Sequence, residues 1–347
     1  MNLRLFFSLV GASLLLAAFA HYFTENEMFQ FATSSLAIIF LAAWLGKSTE
    51  SVAHYAGDRI GGFLNATFGN AAELIIAFFL VKEGLFDMVK ASITGAIIGN
   101  MLLVLGLSVF LGGLKYKEQT FNSRLAGHNA SLMTLAIVAL FIPAVFMQEL
   151  PPVKIETLSI VIAALLIIAY VLWLVFSMVT HSDFLSDIEP HGSEAVWSKG
   201  VSIIMLAVST VFVAIVSEWL VHGVQHVSQS LGWSELFVGA FVIAIIGNAA
   251  EHSAAMLMAL KGRIGAAVEI AIGSSLQIAL FVAPTLVLVS LLIGKPMDIV
   301  FSPFELAAIG VATFITISIT KDGATNWFEG VLLLTVYIIL GTAFFFA

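Results

Sequence analysis

Gly69-Asn70-Ala71-Ala72-Glu73, GNAAE, stands in the middle of one long apolar stretch, and the same five residues return at Gly247-Asn248-Ala249-Ala250-Glu251 in the middle of another. Each copy puts one carboxylate where the core of a bilayer would be. A charge there costs about 3 kcal/mol on insertion scales. Inert helix packing gives no reason for a costly group to appear twice in the same local sequence, so the pair reads as an ion site.

The surrounding chain fits a membrane setting. Of its 347 residues 60% are hydrophobic and 10% charged, with a mean hydropathy of +1.06. Soluble domains carry about 25% charged residues. The apolar runs are helix-length rather than barrel-strand-length. The fold expected is therefore an all-α integral membrane protein. A net charge of −8 and the lack of a basic stripe argue against nucleic acid as a partner. Cysteine is absent, which excludes disulfides, thiolate metal sites and thiol catalysis.

Eleven apolar segments can be counted, at about 3–22, 29–46, 61–81, 88–113, 128–147, 157–180, 201–222, 236–260, 266–293, 303–320 and 328–346. Arg4 with the run ending Ala18-Phe19-Ala20 has the form of a secretory signal. The single charge and the length of the run favour a first transmembrane helix. The loops on the N-terminal side hold Arg4, Lys47, Arg59, Lys115, Lys117, Arg124, Lys199, Lys261, Arg263 and Lys321, ten of the fourteen basic residues. Lys82, Lys90, Lys154 and Lys295 fall on the other side. The positive-inside rule then predicts a cytoplasmic N-terminus and a C-terminus on the opposite face.

A shift of 178 residues superimposes more than the pentapeptides. Gly61 falls on Gly239, Phe63 on Phe241, Gly84 on Gly262, Gly95 on Gly273, Leu102 on Leu280 and Val104 on Val282, with no gap. The chain thus divides into a leading helix (1–28), a first five-helix repeat (29–180), an acidic cytoplasmic linker (181–200) and a second five-helix repeat (201–347). Five is odd, so the second copy enters the membrane from the opposite face. Inverted repeats of this kind build secondary transporters, with ion sites near the midplane at the repeat interface.

Around the glutamates the sequence supplies oxygen. Asn70 and Asn248 lie three residues before Glu73 and Glu251, on the same helix face. Thr67 extends that face in the first copy, where the second has Ile245. Gly69 and Gly247 permit close approach or a helix break that would offer backbone carbonyls. The next helix of each repeat adds Asn100 in the first copy, and Ser274 and Gln277 in the second. Gly95 and Gly273 read equally well as close-packing positions. An all-oxygen set suits a hard cation such as Ca2+, which takes six to eight such ligands, with Glu73 and Glu251 as the metal-binding carboxylates. Burial and mutual repulsion disfavour the empty dianion. Two protons or one divalent cation each neutralise it, a physical basis for exchange of one for the other.

Other acids are accessory candidates. Glu50 and Glu218 sit toward the ends of their helices, Glu269 at the start of its own, and His252 beside Glu251 but off the Asn248–Glu251 face. The linker carries Asp183, Asp187, Glu189 and Glu194 among His181 and His191, and reads as a solvated loop.

The paired GNAAE motifs resemble the calcium/proton exchangers of the calcium/cation antiporter superfamily, together with LNATFGNAAELI at Leu64–Ile75, GNMLLVLG at Gly99–Gly106, GSSLQIALF at Gly273–Phe281 and DGATNWFEG at Asp322–Gly330. The resemblance covers essentially the whole chain. It implies one leading helix plus two inverted five-helix repeats, and Ca2+/H+ antiport with Glu73 and Glu251 as the central cation- and proton-binding carboxylates. Asn70, Asn248, Asn100, Ser274 and Gln277 would surround them. It implies no cofactor beyond the transported Ca2+ and H+, a transporter rather than an enzyme, and the lipid bilayer as partner; a homo-oligomer stays open. Sodium-coupled relatives carry a different motif in place of GNAAE, which points to protons. A sodium/calcium exchanger on the same fold and a passive cation channel are the alternatives.

Overall fold

The computed structural model describes residues 2–146, 150–181 and 195–347, with the side chains of residues 58, 59, 62 and 66 left aside. Eleven helical rods account for nearly all of it. They are α1 Leu3–Phe23, α2 Glu27–Phe68, α3 Ala71–Glu83, α4 Phe86–Tyr116, α5 Ser123–Phe146 and α6 Pro152–Thr180. After the linker come α7 Lys199–Leu231, α8 Glu235–Leu260, α9 Ile264–Leu292, α10 Pro303–Thr320 and α11 Trp327–Phe346. Ten of the helices among the described residues are long and apolar enough to cross a membrane. Most of linker 181–200 lies outside the described residues, including Asp183, Asp187, Glu189, His191 and Glu194.

The third expected span, 61–81, is not one helix. α2 kinks at Gly57, whose φ of 78° is a backbone geometry that glycine adopts without strain. The chain then runs back as a helix to Phe68, turns at Gly69–Asn70, and restarts as α3. Thirteen residues of α3 are too few to span a bilayer alone. The second copy behaves differently. α8 stays helical through Gly247 and carries a π-helical turn at Val238–Ile243 instead.

Local sequence explains many of the helix starts. Ser302 with Glu305, and Asn326 with Glu329, form reciprocal capping boxes at α10 and α11. The Asn26 side chain accepts from Phe29 N–H at the start of α2.

Two short strands, β1 Glu118–Thr120 and β2 Ala324–Asn326, pair antiparallel and mark one end of the molecule. At this ladder end Lys115 Nζ and Tyr116 OH donate to the Leu260 carbonyl at 2.7 and 3.1 Å. Lys90 pairs with Asp298 at 2.8 Å at the far end, and Lys295 Nζ donates to the Lys82 carbonyl there. α3 therefore finishes at the far end, whereas its counterpart α8 finishes at the ladder end. α4 starts at the far end, and its counterpart α9 starts at the ladder end. Equivalent helices of the two halves run in opposite directions, as an inverted repeat demands.

The repeat also shows in the backbone. α4 carries a π-helical turn at Gly99–Val104, and α9 carries one at Ile278–Val282, which the 178-residue shift brings to 100–104. π-bulges concentrate at functional sites. α4 lies deepest, with 72% of its most apolar window buried, against 22% for the peripheral α11. Small residues allow the closest approach. A Cβ on Gly95 would stand 2.0 Å from the Ala240 carbonyl oxygen, and one on Gly239 would stand 2.6 Å from Ala91 Cβ.

Candidate functional site

The α3 restart, the π turn of α4, the middle of α8 and the middle of α9 meet at one place. There the side chains of the two halves interlock. Asn70 Nδ2 donates to Gln277 Oε1 at 2.5 Å, and Ser274 Oγ donates to Asn70 Oδ1 at 2.8 Å. Asn100 Nδ2 donates to Ser274 Oγ at 3.1 Å and reaches Asn248 Oδ1 at 3.5 Å. Asn248 Nδ2 is held by the Ala244 carbonyl at 2.9 Å. Ser274 is the hub, and Asn70, Asn100 and Asn248 are all essentially buried. All five neutral candidates from the sequence are thus brought together.

Glu73 and Glu251 face this cluster from opposite halves. Glu73 lies against Gly247, one helical turn before Glu251 in the second motif. Glu73 Oε2 and Glu251 Oε2 are sealed from the surface with no protein donor reaching them among the described residues. Among the described residues no lysine or arginine pairs with either carboxyl. Two acids without a protein counter-charge, ringed by amide and hydroxyl groups, are a receptor for a hard cation or for protons.

The motif glycines have separate tasks. Gly247 does not break its helix, contrary to one of the two sequence options, so its carbonyl is not freed by unwinding. It makes room instead. A Cβ there would stand 3.4 Å from Glu73 Cγ and 3.7 Å from Glu73 Oε1. Gly69 does lie at a break, is exposed, and has Gln277 Oε1 3.8 Å from its Cβ position.

The two ends of the site differ. On the far side α4 and α8 are in backbone contact at Gly95 and Ala240. At the equivalent position on the ladder side, a Cβ on Gly273 would meet nothing within 4 Å. The close-packing reading therefore holds for Gly95 and fails for Gly273. α4 and α8 are thus packed backbone to backbone on the far side of the carboxylates, while the ladder side is left looser at Gly273. Beside Glu73, toward the far end, a small cavity is lined by Gly247, Asn248, Ser92 and the apolar residues Ile76, Ile93, Ala96 and Ile243.

The accessory acids scatter. Glu218 is exposed and paired with Lys82 at 2.7 Å. Glu50 is exposed on α2. His252 is buried on α8 outside the hydrogen-bonded cluster. Thr67 returns its hydroxyl to the Phe63 carbonyl at 2.8 Å. Glu269 accepts from Asn129 Nδ2 at 3.0 Å, a pairing across 140 residues of sequence. Sequence reasoning passed over Asn129, although a lone amide in the apolar run of α5 was a signal for it.

Fold and site together define a membrane transporter of inverted halves around paired acids. The chain belongs to the sodium/calcium exchanger protein family, which it matches over residues 27–179 and 201–346. It is 46% identical over 350 residues to the Ca(2+)/H(+) antiporter ChaA of Bacillus subtilis (strain 168), covering 99% of both chains. It is also 46% identical to a Ca(2+)/H(+) antiporter of Aphanothece halophytica, over 94% of this chain and 92% of that one. Among solved structures, native YfkE superimposes with a TM-score of 0.87 at 44% identity, over 99% of this chain and 100% of that one.

Proposed function

We propose that this protein is a secondary active antiporter that exchanges Ca2+ for H+ across a membrane by alternating access. One observation carries the reading. Glu73 and Glu251, from opposite halves, each keep a sealed carboxylate oxygen with no protein donor, at a cluster of neutral oxygens. The relatives called Ca(2+)/H(+) antiporters support it. Glu73 and Glu251 are the cation- and proton-binding pair, and Asn70, Asn100, Asn248, Ser274 and Gln277 shape and neutralise their surroundings. Bound Ca2+ cancels both negative charges, and so do two protons. The empty dianion carries an uncompensated charge through the low-dielectric interior. Reorientation therefore favours the loaded forms, which couples the two fluxes.

In this reading the repeats are 29–180 and 201–347, preceded by a leading helix at 1–28 and joined by a linker at 181–200. The bias of lysine and arginine assigns the N-terminus and the ladder end to the cytoplasm. The protein is a carrier of ions rather than an enzyme, with no cofactor beyond its cargo.

The test is Ca2+ uptake into vesicles driven by an imposed proton gradient. Uptake is expected with protons as the only driving ion. Replacing the proton gradient with a sodium gradient checks the sodium-coupled alternative, and uptake driven by sodium alone would overturn the proton reading. Accumulation against a Ca2+ gradient excludes a passive channel.

A further inference from the structure

We propose that Glu269, held by Asn129, is a proton relay between the ladder end and the central carboxylates, a role that rests on the antiport reading above. Residues 266–268, 271–272 and 274–276 of α9 are buried, while Glu269, Ile270, Gly273 and Gln277 keep partial exposure. Glu269, Gly273 and Gln277 are spaced four apart and so form a stripe on one face of the helix, with Ile270 at its edge. Glu269 to Gln277 is eight residues, about 12 Å along the axis. The middle of the stripe is vacant space, since Gly273 meets nothing within 4 Å. Its inner end is polar. Gln277 Oε1 lies beside exposed Gly69 and accepts from Asn70, whose Oδ1 accepts from the Ser274 hydroxyl. A narrow polar stripe with room at its centre admits water between two acid positions.

The surroundings of Glu269 suit a group that exchanges protons rather than one that holds a salt bridge. Asn129 Nδ2 is its hydrogen-bond donor, at 3.0 Å. Titratable groups on the elements packed against α9 include His128 and Arg124 on α5, Lys115 and Tyr116 on α4, and Glu118 on β1. Glu251 and His252 on α8, Glu50 and His54 on α2, and Arg263 beside the α9 N-terminus are others. Among the described residues no ion pair involves Glu269. Asn129 fixes the carboxyl without neutralising it. Protonated from water at the ladder end, Glu269 hands its proton to water in the stripe and returns to carboxylate; the reverse sequence releases a proton from the site.

The test separates proton movement from Ca2+ movement. Ca2+/Ca2+ exchange across vesicles needs no net proton transfer, whereas Ca2+/H+ exchange does. In Glu269→Gln, proton-driven Ca2+ uptake is expected to fall about a hundredfold, the low side of what a positioned proton-transfer group contributes. Ca2+/Ca2+ exchange should stay near the wild-type rate, and Glu269→Asp should recover much of the lost uptake. Asn129→Ala, which removes the donor to the carboxylate, should displace the pH profile of Ca2+/H+ uptake to higher pH. Parallel loss of both exchange modes would make Glu269 a purely structural residue and overturn the proposal. Unchanged proton-driven uptake in Glu269→Gln would overturn it too, and so would an unshifted profile in Asn129→Ala. Failure of the antiport reading itself has a separate signature, a wild-type protein with no proton-driven uptake.

Discussion

The side chain of Glu73 lies against Gly247, with its Cγ 3.4 Å and its Oε1 3.7 Å from the point where a Cβ on residue 247 would stand. The glycine of one motif thus makes room for the glutamate of the other. A methyl at that point is in ordinary van der Waals contact and does not strain the helix. It does place apolar surface where a cation bound to Glu73 needs an oxygen or water neighbour. Gly247→Ala should leave the melting temperature little changed. Loss of one charge-assisted contact, about 1.5–3 kcal/mol, should weaken Ca2+ binding by about tenfold or more. Ca2+ titration of the purified protein checks both halves of the statement.

Removing either central carboxylate leaves a divalent cation half-neutralised in a buried site. Breaking a buried charge pairing costs about 3–5 kcal/mol, two or more orders of magnitude in affinity. Glu73→Gln and Glu251→Gln should each abolish proton-driven Ca2+ uptake while still inserting into the membrane. Retention of full uptake by both variants would exclude the pair as the transport site.

Ser274 joins two amides into one cluster, accepting from Asn100 and donating to Asn70. Ser274→Ala removes both bonds without changing volume much. A net loss of about 1 kcal/mol is expected, near a fivefold weakening of Ca2+ affinity. Asn70→Ala should be more severe, because it also leaves Gln277 without its donor. Ca2+ affinities of the two variants, measured side by side, test that order.

Much of this arrangement was legible in the chain. The repeated motif, the 178-residue register and the set of amides at 70, 100, 248 and 277 with the hydroxyl at 274 all follow from residue type and spacing. The backbone did not. Identical pentapeptides adopt two conformations, a turn at Gly69–Asn70 and an uninterrupted helix at Gly247, so tertiary packing decides rather than local preference. The π turns at Gly99–Val104 and Ile278–Val282 add no residue type that a hydrophobic period would register. They bear on the one-position offset between Asn100, inside its π turn, and Gln277, just before the equivalent one. The partnership of Asn129 with Glu269 crosses from α5 to α9, and only the folded molecule brings them together.

The contrast between Gly95 and Gly273 gives a packing test. These two glycines are equivalent in the repeat, yet only Gly95 touches backbone across the interface. Gly95→Ala forces α4 away from α8 and should destabilise by about 1–3 kcal/mol, the usual cost of overpacking. Gly273→Ala meets no atom within 4 Å and should cost little stability. Thermal unfolding in detergent distinguishes them, and equal melting temperatures would contradict the asymmetry.

The same asymmetry makes a prediction about access. Because the chain has no cysteine, Gly273→Cys introduces a single thiol without further engineering. Its side chain would enter the vacant stretch of the α9 stripe, which leads toward the ladder end. A hydrophilic, membrane-impermeant maleimide should modify it readily in inverted vesicles, where the cytoplasmic face is outside, and slowly in intact cells. Alternating access adds a second condition. An inward Ca2+ gradient across intact cells should favour the conformer in which the two ends exchange roles, closing the Gly273 space and slowing modification in vesicles prepared with Ca2+ inside. Rapid labelling from the far side in resting protein, with none from the ladder side, would show that the open end has been assigned to the wrong face of the membrane.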